Sequence, residues 1–167
     1  MSYNTIKIKK YSDVIEEYEA AAAITPGMVL QLNSAGTVQK HGTSGGNVVP
    51  YVALEDELQG KGINDDYAAG DKVQVWVPNR GDIAYLLLAD EQTIAIGDYL
   101  MSNGFGKVTK MVDESYESAD AQAANTIYDK VIIGQAVEAV DLSTLPEGSE
   151  SSAAGDYYNP RIKVRIV

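Results

Sequence analysis

Pro26-Gly27-Met28-Val29-Leu30-Gln31-Leu32-Asn33-Ser34-Ala35-Gly36-Thr37-Val38-Gln39-Lys40 returns seventy residues later, without a gap, as Ile96-Gly97-Asp98-Tyr99-Leu100-Met101-Ser102-Asn103-Gly104-Phe105-Gly106-Lys107-Val108-Thr109-Lys110. The matched positions are Gly27/Gly97, Leu30/Leu100, Asn33/Asn103, Gly36/Gly106, Val38/Val108 and Lys40/Lys110. Each copy reads as a Gly turn, a short apolar strand, an Asn-containing turn closed by Gly, and a second strand ending in Lys. That is a β-hairpin pattern, because Asn and Gly tolerate the positive φ of a tight reversal. A fold built twice from one hairpin unit predicts a small β-barrel or sandwich, and nothing in the repeat suggests chemistry.

Working outward, period-two alternation and bounded apolar runs predict further strands. They fall at Thr5–Lys9, Val48–Leu54, Asp71–Val77, Ile83–Leu88, Val131–Val137 and Arg161–Val167. Tyr11–Glu19 reads as extended, and Ala20–Ala23 as a small-residue stretch able to pass close to another backbone. Ser118–Asn125 reads as a short helix. The acidic, Ala-rich stretch 113–129 and the Gly/Ser/Glu-rich stretch 141–160 read as loop insertions. The prediction is therefore an all-β chain with at most that one short helix. It has an N-terminal arm and lead-in over residues 1–23 and a single β domain over residues 24–167.

The chain has 167 residues, 45% of them hydrophobic, enough for one packed core. With no Cys it uses neither disulfides nor thiolate metal sites. The first residues lack an apolar signal-peptide core, and the run Ile83–Ala89 is too short to span a bilayer, so no membrane partner is expected. Net charge is −11, unevenly placed. Lys7, Lys9, Lys10, Arg161, Lys163 and Arg165 sit in terminal segments without acids. The acidic body between them disfavours nucleic acid. The basic ends fit either an acidic partner surface or the wetted face of edge strands, which use Lys to resist aggregation.

The chemical inventory is thin. His41, the only imidazole, lies in a Gly/Ser loop, which excludes a His/Cys zinc site and reads as an ordinary loop position. No Gly-x-Ser-x-Gly elbow presents a nucleophile. Gly104–Thr109 lies inside a hairpin rather than between strand and helix, so it fails as a phosphate loop. Glu55-Asp56-Glu57 and Asp65-Asp66 lack the alternating spacing of a calcium loop. No catalytic, metal or cofactor residue is expected. Trp76 alternates against Val75 and Val77, so it belongs either to a second core face or to an exposed contact. In the second case it is a subunit-interface anchor, since Trp is enriched at binding hot spots.

Ala20–Ala23 running into Ile24–Leu30 and the Asn-Ser-Ala-Gly hairpin resembles the capsid decoration, or cement, proteins of tailed bacteriophages. So do Val52–Lys61 followed by Tyr67–Val73, then Ile96–Leu100, and finally Ile133–Ala139. The resemblance spans residues 14–140 and lies in the order of short motifs. It implies a small β-barrel or β-tulip-like fold with an extended N-terminal arm. It also implies a homotrimer on the outer surface of the mature virion head, holding neighbouring major capsid protein subunits together. On that reading Tyr3, Ile6, Lys7, Ile8, Lys9, Lys10 and Tyr11 form an arm that contacts the capsid through strand pairing and basic side chains. The rival readings are a hydrolase or a carbohydrate-binding, lectin-like receptor binder acting on host surface sugars, and a head- or tail-fibre protein with the same repeat.

Overall fold

The computed structural model describes residues 4–11, 13–112, 115–116, 125–126, 130–143 and 160–167. In chain order the strands are β1 (Lys7–Lys9), β2 (Ile15–Glu19), β3 (Val29–Leu32), β4 (Val38–Lys40), β5 (Tyr51–Ala53), β6 (Lys72–Trp76), β7 (Ile83–Leu87) and β8 (Thr93–Ile94). They continue with β9 (Tyr99–Ser102), β10 (Val108–Lys110), β11 (Ser115–Tyr116), β12 (Asn125–Thr126), β13 (Ile132–Ala136), β14 (Val140–Asp141) and β15 (Arg161–Ile166). One 3-10 turn, Glu57–Gln59, is capped by the Asp56 carboxylate. The all-β prediction holds. The expected helix at 118–125 and most of the two expected insertions lie outside the described residues.

Two open antiparallel sheets carry the fold. One has the order β2-β6-β5-β3-β4 and the other β1-β7-β15-β13-β9-β10, with β8-β14 and β11-β12 as small additional pairs. Neither large sheet closes on itself, so the fold is not a closed barrel. Both leave edge strands, β2 and β4 in one, β1 and β10 in the other.

The duplication runs much deeper than the hairpin. Leu30 pairs with Lys40 and Leu32 with Val38; Leu100 pairs with Lys110 and Ser102 with Val108. Val52–Trp76 and Ala53–Val75 in the first half answer to Gln135–Arg165 and Ala136–Val164 in the second. Ile15–Trp76 and Glu19–Lys72 answer to Ile83–Arg165 and Leu87–Arg161. The parallel bridges Ala20–Val38 and Leu88–Val108 match as well. One five-strand unit, β2 to β6, has therefore been repeated in register as β7, β9, β10, β13 and β15, with β1 added at the outer edge of β7.

The hairpin turns show why the short motif survives in both copies. Asn33 Oδ1 accepts the Ala35 and Thr37 N–H groups, and Asn103 Oδ1 accepts those of Phe105 and Lys107. Gly36 and Gly106 then take φ of 77° and 79°, where a side chain is strained.

Alternation decides the packing. Ala20, Ile24, Leu30, Val38, Ala53, Val73 and Val75 form one cluster with Tyr67. Their counterparts Leu88, Ile94, Leu100, Val108, Ala136, Ile162 and Val164 belong to the larger core. The opposite face of the first sheet contributes Val29, Val52, Leu54 and Trp76 to that same larger core. The two halves are thus joined by burial of a face that only the first half makes apolar. Trp76 is fully buried within the chain, so it is a core residue and not an interface anchor.

The N-terminal segment also departs from the expected arm. Ile6 is fully buried, its N–H donates to the Glu55 carboxylate, and Tyr85 N–H donates to Ile6 C=O. Lys7–Lys9 pairs with β7. These residues are part of the sheet because Ile6 supplies core volume. Residues 15–19, assigned by sequence to the lead-in, are an integral strand paired along its length with β6.

The second half reaches the first through its hairpin tip. Val29 N–H donates to Gly106 C=O at 2.8 Å, and Gly106 N–H donates to His41 C=O at 3.2 Å. The Gly106 peptide is a wedge between the two strand ends of the first hairpin. A Cβ on Gly106 would sit 2.9 Å from Lys40 Cβ, whereas one on Gly36 meets nothing within 4 Å. Alanine at either position pays about 1–2 kcal/mol for positive φ. Gly106→Ala pays roughly 1–3 kcal/mol more for overpacking. Denaturant melts of the two variants check this: Gly106→Ala is expected to be clearly the weaker, and equal losses would contradict a tight wedge.

Candidate functional site

Among the described residues, no three His, Cys, Asp or Glu side chains gather to hold a metal ion. No helix there is long and apolar enough to cross a membrane. His41 sits in the seam between the halves rather than in a free loop. Its Nδ1 lies 2.8 Å from Ser102 Oγ and its Nε2 lies 3.0 Å from Asn47 C=O. Ser102 is fully buried, and its hydroxyl also accepts the Gly104 N–H. A Ser–His contact without a carboxylate on the imidazole and without solvent at the hydroxyl does not present a nucleophile. It satisfies polar groups that the seam has buried.

The basic C-terminal strand is largely committed inside the molecule. Arg161, 7% exposed, donates to Asn64 Oδ1 at 2.8 Å, to Pro26 C=O at 3.0 Å and to Ile63 C=O. Burial lowers its pKa to about 10, still far above neutral pH. The guanidinium ties β15 to the turn that opens the first hairpin and to the segment after the 3-10 turn. Lys163 pairs with Glu138 at 2.9 Å. On this strand Arg165 is the exposed cation.

The N-terminal basic residues are gathered at the molecule's edge. Lys7 and Lys10 both bind Asp13, the first at 3.2 Å. The hydrogen bond from Lys10, assisted by Lys7, holds the Asp13 carboxyl below the usual carboxylate range. Lys9 lies over the Tyr11 ring, 5.1 Å from its centroid. Tyr11 N–H donates to Asp82 Oδ1 at 2.6 Å, which anchors the turn between β1 and β2. Ile8 is half-buried, and Tyr3 lies outside the described residues.

Around these cations stand exposed apolar side chains, of which the sequence singles out Tyr11 but not Val14, Ile15 or Leu58. Tyr11 is 67% exposed, Val14 46%, Ile15 40% and Leu58 98%. A shallow cleft of about 240 Å³ separates β1 and β2 from the 3-10 turn, with Thr5, Lys7 and Ile15 on one side and Glu55, Glu57 and Leu58 on the other. The edge strands β1 and β2 and this cleft form one ledge of mixed charge and apolar tips. Such a surface suits protein contact, with apolar area for affinity and charges for orientation. Leu58 was hidden in the sequence because it lies in a polar stretch without periodicity.

Replacing Arg161 with Met leaves the carbonyls of Pro26 and Ile63 buried without their donor. The expected loss is about 2–4 kcal/mol, from charge-assisted bonds broken and acceptors left unpaired. Arg165→Met on the same strand is expected to stay within about 0.5 kcal/mol of the parent, as an exposed substitution. Guanidinium unfolding of the two variants checks the contrast.

No protein-family model and no curated protein matches this chain. Among solved structures, the chain is similar to the N base of the head fiber gp8.5 of bacteriophage phi29, with a TM-score of 0.52 and 13% sequence identity over 93% of this chain and 95% of that one. At that identity the similarity is one of fold, and it extends over both halves of the duplicated architecture.

Proposed function

We propose that this protein is a structural component of a bacteriophage head, bound to the outer capsid surface as a cement protein that bridges major capsid subunits. The observation that carries the reading is the end-to-end fold likeness to the base of a phage head fiber. The order of short motifs resembling decoration proteins supports it from the sequence side. The physical demand of the role is mechanical. A bridging protein needs a stiff body and a ledge that grips, and the two packed sheets and the β1–β2 edge supply both. In this reading the protein is not an enzyme, uses no cofactor and binds neither nucleic acid nor membrane. It works as a homotrimer, whose several modest contacts act together.

Capsid contact is assigned to the ledge of Lys7, Lys9, Lys10, Tyr11, Val14, Ile15 and Leu58, with Ile8 lending support from behind. Ile6 acts from within the core. Because of that burial, truncating residues 1–11 would unfold the sheet as well as remove contacts. Surface variants are the sounder probes.

A second reading has a specific observation in its favour, since the similar fold belongs to a fiber base. There the same ledge attaches a head fibre whose distal part binds a receptor or glycan. Labelled intact particles imaged by electron microscopy separate the two. Cement predicts many copies at repeated capsid positions; a fibre base predicts label at the roots of projections. Absence from intact particles rejects both.

The charge reversals Lys9→Glu and Lys10→Glu together are expected to weaken binding to undecorated heads roughly tenfold, or about 1.4 kcal/mol. Parent binding is expected to fall as salt rises toward 1 M, where screening acts within about 3 Å. Asp13→Asn, which frees Lys7 and Lys10, is expected to shift affinity the other way. Sedimentation of protein with purified heads measures all three, and salt-independent binding would remove the electrostatic contribution.

A further inference from the structure

The seam between the halves has an unused counterpart. In the first half, the strand ends at Val29 and His41 receive the Gly106 wedge. The equivalent strand ends in the second half are Tyr99 and Met111. There Met111 N–H donates to Tyr99 C=O, as His41 N–H does to Val29 C=O. Among the described residues neither the Tyr99 N–H nor the Met111 C=O, the two groups that would receive a wedge, makes a backbone bond outside the strand ladders. The wedge itself is also duplicated. Gly36 has the φ of Gly106 and the same Asn-bonded turn before it, yet it is exposed where Gly106 is buried, and its N–H donates within the turn to Asn33 C=O at 3.0 Å, a bond that insertion would exchange for one to the new strand end. The described residues therefore present one exposed tip and one base without a wedge.

The surface around that base is the kind that is covered in protein contacts. Tyr99 is 49% exposed, Ile96 71% and Val112 60%. Trp76 and Val52, buried against the second half, are replaced there by Arg165 and Gln135. Tyr and Arg are the types enriched where surfaces meet. The tip Asn33-Ser34-Ala35-Gly36-Thr37 is neutral, and at the base Lys110 is paired with Asp98 at 2.8 Å while Lys130 Nζ donates to Val112 C=O at 3.3 Å.

We propose that the hairpin tip around Gly36 of one copy inserts between Tyr99 N–H and Met111 C=O of a second copy, repeating between molecules the contact that Gly106 makes within one. The occupant is a second copy because the tip that fits this base is already present in the chain, and the internal seam establishes the geometry. The contact is heterologous, tip to base, so a rotation that closes gives a ring. It supplies the interface for the homotrimer proposed above and rests on that reading only for the number of copies. The flank of the internal seam is not repeated. Gly104 packs so close to the loop at Ser44 that a Cβ would lie 2.9 Å from its nitrogen, and the tip position equivalent to Gly104 is Ser34. The proposed contact is the wedge alone.

The chain has no Cys, which allows a directional test. Within the seam Lys40 lies over the ring of Phe105, so the counterpart residues Lys110 and Ala35 are neighbours across the proposed contact. Ala35→Cys and Lys110→Cys variants, both at exposed positions, are mixed under mild oxidant and the mass of the parent is measured in solution. A disulfide joining the two different variants, at least tenfold over disulfides within either alone, is the expected result. Hydrogen exchange at the Tyr99 amide is expected to slow as protein concentration rises. A trimeric mass without the mixed disulfide overturns this contact and leaves the trimer standing. The mixed disulfide with another mass upholds the contact and overturns the trimer. A monomer without cross-link overturns both. Protection of Tyr99 that is independent of concentration assigns the site to the chain's own segment and overturns the contact.

Discussion

The Gly106 peptide, held between Val29 N–H and His41 C=O, is the constraint on which the arrangement of the two halves depends. A hairpin tip can enter the end of another hairpin only if the entering residue has no side chain, because the Lys40 stem already occupies the space a Cβ would need. Once the wedge is in place, His41 and Ser102 lose their access to water and must satisfy each other. The polar pair is therefore a consequence of the docking. Arg161 repeats the logic at another point of the junction. Its guanidinium replaces water for carbonyls of Pro26 and Ile63 that the association has buried. An unpaired carbonyl there would cost about 1–3 kcal/mol, so these bonds specify one mode of association as much as they strengthen it.

Duplication explains the architecture, and divergence between the copies explains its polarity. Positions that face each half's own interior have stayed apolar in both copies, as in Leu30/Leu100, Val38/Val108, Ala53/Ala136 and Val75/Val164. Positions on the opposite face have parted. Val29, Val52 and Trp76 are core residues, whereas Tyr99, Gln135 and Arg165 are exposed or half-exposed. The ladder fixes the equivalence of these positions, so the contrast follows from their surroundings rather than from register. Among the described residues, the first half has an internal neighbour over that face and the second half does not.

The hairpin repeat, its turn chemistry and the strands at 72–76, 83–87, 132–136 and 161–166 were legible because alternation and Asn/Gly turns are local signals. The larger duplication was not, because outside the hairpins the two copies share register and burial without sharing residues. Lys72 stands where the other half has Arg161, and Tyr51 where it has Gly134. The arm was misjudged for a related reason. Thr5–Lys9 alternates as any edge strand does, and only the neighbour β7 decides that Ile6 faces a core. Trp76 shows the limit of alternation, since a residue opposite Val75 and Val77 lies on a second face whose cover depends on the other sheet. His41 carried no local signal. Its counterpart in the repeat is Met111, and its burial is created by the tip at Gly106, far along the chain.

The distribution of charge makes a final point about which surfaces are available. A net charge of −11 and six basic residues at the termini invite a picture of two basic patches on an acidic body. Folding reduces that picture to one. Arg161 is buried in hydrogen bonds and Lys163 is held by Glu138, so most of the C-terminal positive charge serves the structure. At the N-terminal edge Lys7 and Lys10 share a single carboxylate, Asp13, while Lys9 rests on an aromatic ring, and all lie at the surface beside Tyr11, Val14 and Leu58. Two ammonium groups on one carboxylate leave a local positive charge at the β1 end of a ledge whose β2 strand and cleft carry Glu16, Glu17, Glu19, Glu55 and Glu57. An acidic body repels acidic partners at long range, so a local excess of this sign beside apolar tips orients any approach toward the β1–β2 ledge. The internal seam differs in kind: it meets through the backbone of Gly106, Val29 and His41, with Lys40 over the Phe105 ring and Lys107 buried beside the contact. Side-chain charge at the ledge and backbone bonds at the seam thus mark two surfaces built for different kinds of neighbour.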